Sequence, residues 1–185
     1  MASGPQFGHL RAIFLTGFMG AGKTTVGRLL AEGLGWRFVD LDETIEADAG
    51  CSIAQVFDQQ GESHFRKLEA DALKNCLDRL AEAGPAVVAL GGGALSQPNN
   101  LWLLAQVAAP TIFLDAPVDE LLARCRATAI DRPLSRHENQ FRQLFQLRRR
   151  VYMEADVRID THGRSPIQVA DEIVRSLAAR HSREL

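Results

Sequence analysis

With 185 residues, 46% of them apolar and 24% charged, the chain has the composition of one globular domain long enough to bury a sizeable core. A formal net charge of −2 lacks the basic surplus of a dedicated nucleic-acid binder. The three cysteines, Cys51, Cys76 and Cys125, are far apart and odd in number, which argues against a disulfide framework or a zinc site and for a reducing compartment. The first residues carry no long apolar run behind a basic start, and no stretch approaches the roughly 20 apolar residues that span a bilayer. A cytoplasmic protein with a short loose arm over residues 1–9 is expected.

Ala12-Ile13-Phe14-Leu15 is a short apolar run ending at Gly17, the pattern of a fully buried strand. From Thr24 to Leu34 the apolar residues Val26, Leu29, Leu30 and Leu34 take helical spacing, and Gly35 stops the helix. Trp36 to Val39 reads as a second strand, closing on Asp40-Leu41-Asp42. Residues 43–83 show helical spacings only, broken into pieces by Gly50 and Gly61. Ala86 to Leu90 is a third strand that runs into Gly91-Gly92-Gly93. Pro98 starts a helix through Val107, Thr111 to Leu114 is a fourth strand, and Pro117 opens another helix. Residues 127–138 lack core periodicity and read as a mobile loop. A helix follows over Asn139 to Met153, then a fifth strand over Val157 to Asp160. Ser165 as N-cap and Pro166 in the first turn begin the last helix, whose apolar face is Ile167, Ala170, Ile173, Val174 and Leu177. Strands alternating with helices imply an α/β fold with a parallel sheet covered on both faces, and such sheets bind ligands at the carboxyl ends of their strands.

Residues 17–25, GFMGAGKTT, have the spacing of a phosphate-binding loop between a strand and a helix. Backbone N–H groups of such a loop converge on an anion and the helix N-terminus adds its dipole. Gly20, Ala21, Gly22, Lys23, Thr24 and Thr25 are the candidate nucleotide-binding run. Lys23 is suited to the terminal phosphates and the Thr24 hydroxyl to Mg²⁺. No Asn-Lys-x-Asp base-reading motif of a GTP switch is present, and the run before Gly91 does not end in the Asp typical of ATPase motors. A small-molecule kinase remains.

The acceptor candidates follow the strands. If the chain stays extended through Asp40-Leu41-Asp42, both carboxylates point one way, one near the metal and one to hold an alcohol and accept its proton; the plainer alternatives are a polar strand end or a helix N-cap at Asp42. Arg66, beside Phe65 on a mostly apolar face, suits a forked contact to a carboxylate or an ion pair with Glu62 or Glu69. Gly91, Gly92 and Gly93 permit close backbone approach to a ligand. Arg132, in the loop called mobile, suits charge on a transferred phosphoryl group. Arg148, Arg149 and Arg150 cannot all face one site from one helix.

Taken in order, GFMGAGKTT, Asp40-Leu41-Asp42, Gly61-Glu62-x-x-Phe65-Arg66-x-x-Glu69, Gly91-Gly92-Gly93, Arg132-Pro133-Leu134 and Arg148-x-x-x-Tyr152 resemble shikimate kinase, over roughly residues 11–175. The resemblance implies a P-loop, nucleoside-monophosphate-kinase-like fold with a five-stranded parallel sheet in order 2-3-1-4-5 and a mobile lid at 127–138. It implies transfer of the γ-phosphoryl group of ATP, with Mg²⁺, to the 3-hydroxyl of shikimate in chorismate synthesis. By resemblance, Asp42, Arg66, Gly92 and Arg148 hold shikimate, with Gly91 and Gly93 beside them. Thr24 binds Mg²⁺ and Asp40 supports it through water. Lys23 and Arg132 approach the transferred phosphate, and Asp42 orients the hydroxyl. Arg164 packs near adenine, with Arg124 or Arg126 on its other side. A monomer with a small-molecule substrate, no nucleic acid and no membrane is expected. The readings left beside it are a gluconate-type kinase on the same fold and a catalytically inactive relative that acts as a binding module.

Overall fold

The computed structural model describes residues 7–127 and 137–184. Strand β1 (Ala12–Thr16) is buried along its whole length because it lies mid-sheet, paired in parallel with β3 (Ala86–Ala89) on one side and β4 (Thr111–Asp115) on the other. This is why both β1 and β3 read as unbroken apolar runs. The edges are β2 (Arg37–Asp40) and β5 (Val157–Asp160), which are only partly buried and carry Arg37 and Arg158. The order is β2-β3-β1-β4-β5 and every pairing is parallel, as the resemblance implied. Asp40 and Leu15 both lie opposite Ala89, and Thr16 opposite Phe113, so the carboxyl ends of the strands finish level.

Helix α1 (Lys23–Leu34) buries Val26, Leu30 and Ala31 and ends on Gly35. It approaches β2 closely through Gly27, where a Cβ would sit 2.3 Å from the Phe38 ring. The stretch expected to be helical holds α2 (Leu41–Ala49) and α3 (Ile53–Ala83). Ser52 and Gln55 cap α3 reciprocally. Gly61 (φ 79°, ψ 171°) interrupts α3, a backbone conformation that side-chain-bearing residues avoid. After β3 come a short 3-10 turn over Ala94–Ser96 and helix α4 (Pro98–Ala105). The remaining helices are α5 (Val118–Ala127), α6 (Glu138–Tyr152) and α7 (Pro166–Glu184), and α7 packs against α1.

Three expectations are corrected. The chain is not extended through Asp40-Leu41-Asp42: Asp40, with φ −103° and ψ 117°, is itself the N-cap of α2, and its carboxylate accepts from the Asp42 and Glu43 N–H groups. The helix therefore begins at Leu41, and the cap is not Asp42. The inner face of α7 contains Val169 in place of Ile167, which is 60% exposed. Ile167 lines an open groove of about 460 Å³ with Thr24, Thr25, Arg28 and Leu29. Helix α4 stops at Ala105, short of Val107. Of the expected arm, residues 7–9 are described: Phe7 is buried and His9 stacks on His181. Of the loop expected at 127–138, Ala127 closes α5, Glu138 opens α6, and residues 128–136, with Arg132, lie outside the described residues.

Candidate active site

The phosphate loop joins β1 to α1 as its spacing predicted. Gly20 has φ +82°, and a Cβ there would lie 2.7 Å from the Leu121 carbonyl oxygen and 2.9 Å from Cys125 Sγ, so the loop is pressed onto α5 where only glycine fits. Gly22 precedes α1 with no side-chain cap, leaving the first-turn N–H groups directed at the loop. Lys23 Nζ donates to the Gly17 carbonyl at 2.9 Å and to that of Phe18 at 3.5 Å, so its ammonium lies over the loop. Thr24 Oγ1 donates to Asp40 Oδ2 at 2.6 Å. A hydroxyl and a carboxylate in contact beside a phosphate loop are the hard oxygen donors that Mg²⁺ takes, so the residues present fit that ion.

At the adjoining strand ends, side chains from three helices close on the glycine run. Asp42, in the first turn of α2, and Glu69, on α3, meet at Gly91: a Cβ there would lie 2.8 Å from Asp42 Oδ1 and 2.9 Å from Glu69 Oε1. A Cβ on Gly92 would lie 3.2 Å from Arg148 Nη1, and one on Gly93 2.6 Å from Arg66 Nη1. The three positions lack side chains because the volume is already occupied by the ends of others. Arg66 forms both ion pairs that its spacing allowed, donating to Glu69 Oε2 at 2.9 Å and to Glu62 Oε1 at 2.9 Å through Nη2. Its guanidinium lies 5.1 Å from the Phe65 ring centre, and Phe65 packs tilted against Phe57 with ring centres 4.6 Å apart.

The electrostatics follow from burial. Glu69 is 1% exposed; desolvation raises its pKa, Arg66 opposes that, and the nearby Asp42 adds to the rise. Its Oε1 is buried with no hydrogen-bond partner among the described residues and faces Gly91. Burial works against the Arg66 charge, but Glu62 and Glu69 outweigh it and raise its pKa. Tyr152 donates its hydroxyl proton to the Gly92 carbonyl, and burial pushes its pKa up to about 12.

The arginine run divides as helix geometry requires. Phe141, Phe145, Arg148 and Tyr152 share one stripe of α6, and the other three are buried. Arg148 is thus a cation in a core-facing position, 5.9 Å from the Phe18 ring centre. Arg149 turns to Asp115, and Arg150 is exposed. Of the two candidates for adenine, Arg124 lies at the phosphate loop, donating to the carbonyls of Gly20 at 3.4 Å and Thr161 at 3.3 Å. Arg126 is exposed and pairs with Glu138 at 3.3 Å. Arg164 is exposed, with its N–H on the Thr161 carbonyl at 3.3 Å.

Sequence reasoning did not select Glu69, Tyr152 or Asn100 for the site. Glu69 had a signal: it interrupts the buried series Phe65, Ala72, Leu73 and Cys76 on α3 with a carboxylate. Asn100 had none. It is fully buried and its Nδ2 donates to the Ala94 carbonyl at 3.1 Å, tying α4 to the turn that follows the glycines.

The family model described as shikimate kinase matches residues 19–178. The chain belongs to the shikimate kinase family. It is 40% identical over 166 residues to a shikimate kinase of Persephonella marina, covering 89% of this chain and 98% of that one. With a shikimate kinase of Geobacter sulfurreducens the identity is 43% over 166 residues, covering 88% of each. Among solved structures, Acinetobacter baumannii shikimate kinase in complex with shikimate superposes with a TM-score of 0.84 at 35% identity, over 95% of this chain and 98% of the other. A gluconokinase of Sinorhizobium meliloti, at a TM-score of 0.60 and 21% identity, shares the fold alone. A shikimate kinase family member is an ATP-dependent small-molecule kinase, with Mg²⁺ as the usual companion of the nucleotide.

Proposed function

We propose that this chain transfers the γ-phosphoryl group of ATP to the 3-hydroxyl of shikimate, releasing ADP and 3-phosphoshikimate. The observation that carries the reading is the convergence of Asp42, Arg66, Glu69, Arg148 and Tyr152 on Gly91-Gly92-Gly93. A backbone wall, two arginines and a carboxylate suit a flat ring that bears a carboxylate and hydroxyls. On this reading Arg66 and Arg148 take the shikimate carboxylate by forked bonds. Glu69 holds the Arg66 fork in place. Asp42 orients the attacking hydroxyl and takes its proton as the new P–O bond forms and the bond to the ADP oxygen breaks. The amides of Gly20 to Thr25 and the ammonium of Lys23 hold the phosphates. Thr24, with Asp40 through water, would hold Mg²⁺, which when bound neutralises phosphate charge. Arg124 and Arg164 flank adenine. Arg132 is assigned to the transferred phosphate from its motif alone.

The chain works as a single kinase domain with residues 43–83 as its acceptor-binding part. We read it as a cytoplasmic monomer that binds neither nucleic acid nor membrane. The family membership supports this reading, and the three cysteines form no disulfide. No described helix is long and apolar enough to cross a membrane.

The test is Mg-ATP-dependent ADP release in a coupled assay with shikimate, quinate, gluconate and no acceptor side by side. Turnover with shikimate alone is expected. Turnover with gluconate instead would keep the phosphate chemistry and overturn the roles of Arg66 and Arg148. ATP binding with no turnover on any acceptor would replace the enzyme with a binding module.

A further inference from the structure

Asp115 closes β4 and is 4% exposed, yet the reaction above does not use it. Two guanidinium groups meet on its carboxylate. From α6, Arg149 donates through Nε to Oδ1 at 3.3 Å and through Nη2 to Oδ2 at 2.7 Å. From β5, Arg158 donates through Nε to Oδ2 at 2.9 Å. The backbone carbonyl of the same residue accepts from Thr161 N at 2.8 Å and Thr161 Oγ1 at 3.1 Å. Asp115 is therefore a fixed post, held by its strand and by the loop after β5.

We propose that the Arg149–Asp115 pair is a positioning device for the acceptor site: it sets the rotation of the last turns of α6 and so aims Arg148 and Tyr152 at Gly92. The role given to Arg148 rests on the proposed function; the geometry of the pair does not. The first half of α6 is located by aromatic packing, with Phe18 edge-on to Phe141 at 4.9 Å and to Phe145 at 5.5 Å. Arg148 and Tyr152 lie in the turns after those two rings, with Arg148 still 5.9 Å from the Phe18 ring centre and Tyr152 the last helical residue. Tyr152 is buried, with a ring contact with Phe113 at 5.2 Å, and its hydroxyl meets the Gly92 carbonyl and the Arg148 side chain. Hydroxyl contacts at one point resist a roll of the helix about its axis less than a fork does. A two-bond fork from a neighbouring residue, about 100° around the helix from Arg148, resists that roll. Arg149 supplies the fork, and its pKa is raised by the hydrogen bond to Asp115.

A purely structural role makes a different prediction. If Asp115 needs only a counter-charge, Arg158 supplies one as well as Arg149 does, and removing either guanidinium should have the same effect. If the pair positions α6, only Arg149 matters to the acceptor, because Arg158 stands on the edge strand β5.

The experiment compares R149M, R149K and R158M with the parent by two readouts. The first is KM for shikimate against KM for ATP. The second does not depend on activity: Tyr152 is the only tyrosine in the chain, so the near-ultraviolet absorbance of tyrosinate titrates that residue alone. In R149M the shikimate KM should rise at least about fivefold, well inside the roughly hundredfold that a 1 Å misplacement can cost, with the ATP KM within about twofold. Because burial raises the Tyr152 pKa and Arg148 lowers it, a roll of the helix changes both, so the tyrosinate titration should leave the parent position while circular dichroism still reports native helix. R149K, with one bond in place of two, should fall between, and it carries the comparison if R149M does not fold. R158M should match the parent in both readouts. The proposal fails if the R149M titration stays at the parent position, if its shikimate KM is unchanged, or if R158M reproduces its effects. Should the parent not phosphorylate shikimate, the functional reading fails by itself and the tyrosine titration still decides the role of the pair.

Discussion

Replacing Gly93 by alanine tests the acceptor grip with little disturbance elsewhere. Gly93 has φ −110° and ψ −3°, so alanine there needs no left-handed backbone. The new methyl group would lie 2.6 Å from Nη1, 2.9 Å from Nη2 and 3.1 Å from Cζ of Arg66. Restoring an ordinary contact of 3.4 Å moves the guanidinium by about 0.8 Å. Arg66 is the far end of a flexible side chain, so it yields before the backbone does. The displacement strains its bonds to Glu62 and Glu69 and misaligns the fork. A misplacement near 1 Å costs up to about a hundredfold, so with Arg148 still in place a rise of about 10- to 30-fold in the shikimate KM is expected. The ATP KM should stay within about twofold, because the phosphate loop is not touched. Steady-state kinetics with each substrate varied in turn, plus a thermal melt, read all three quantities. A shikimate KM within about twofold of the parent, with the fold intact, would refute the assignment of Arg66 to the acceptor carboxylate.

Other outcomes follow from the same geometry. Lys23→Met should lower kcat by about 10²- to 10³-fold, the range for loss of a group that stabilises developing charge, and leave shikimate affinity by calorimetry unaltered; unchanged turnover removes Lys23 from the reaction. Gly20→Ala places a side chain at φ +82° against the Leu121 carbonyl, so it should cost about 1–3 kcal/mol in a denaturant melt and abolish ATP binding; a variant that keeps both would show the loop to be looser than drawn. Glu69→Gln has a pH signature. Because burial raises the folded-state pKa of Glu69, its contribution to stability is fully present below the unfolded value and is lost as pH rises through the folded one. At neutral pH the variant should melt no lower than the parent and bind shikimate more weakly, with the difference in melting shrinking as acid protonates Glu69. A lower melting temperature at neutral pH, with affinity preserved, would contradict this.

The parts that could be read from sequence are those whose geometry is short-range or whose burial is complete. The phosphate loop is one continuous stretch, so its spacing carries its shape. The strands β1 and β3 are covered on both faces, and their apolar runs say so. The Asp40-Leu41-Asp42 segment was harder because one residue decides whether strand or helix continues, and a capping bond worth about 1 kcal/mol tips it. That cap sends the two carboxylates to different partners, Asp40 to Thr24 and Asp42 to the glycine run. Ile167 fits the helical spacing of α7 yet faces the groove beside Leu29. The partner of Asp115 could not be read at all, since Arg149 and Arg158 are 34 and 43 residues away and meet it only after three elements pack.

Asp40 serves two masters with one carboxylate: Oδ2 meets the Thr24 hydroxyl on the nucleotide side, and Oδ1 caps the helix that carries Asp42. A cation held at Oδ2 would draw charge from Oδ1 and weaken it as the acceptor that caps the helix carrying Asp42. Occupancy of one half would then change the free energy of filling the other. Such coupling is reciprocal, so any factor by which Mg-ATP alters shikimate affinity is the factor by which shikimate alters that of Mg-ATP. Asp40→Asn keeps an oxygen for the cap and removes the charge, which makes it the variant in which the two affinities become independent.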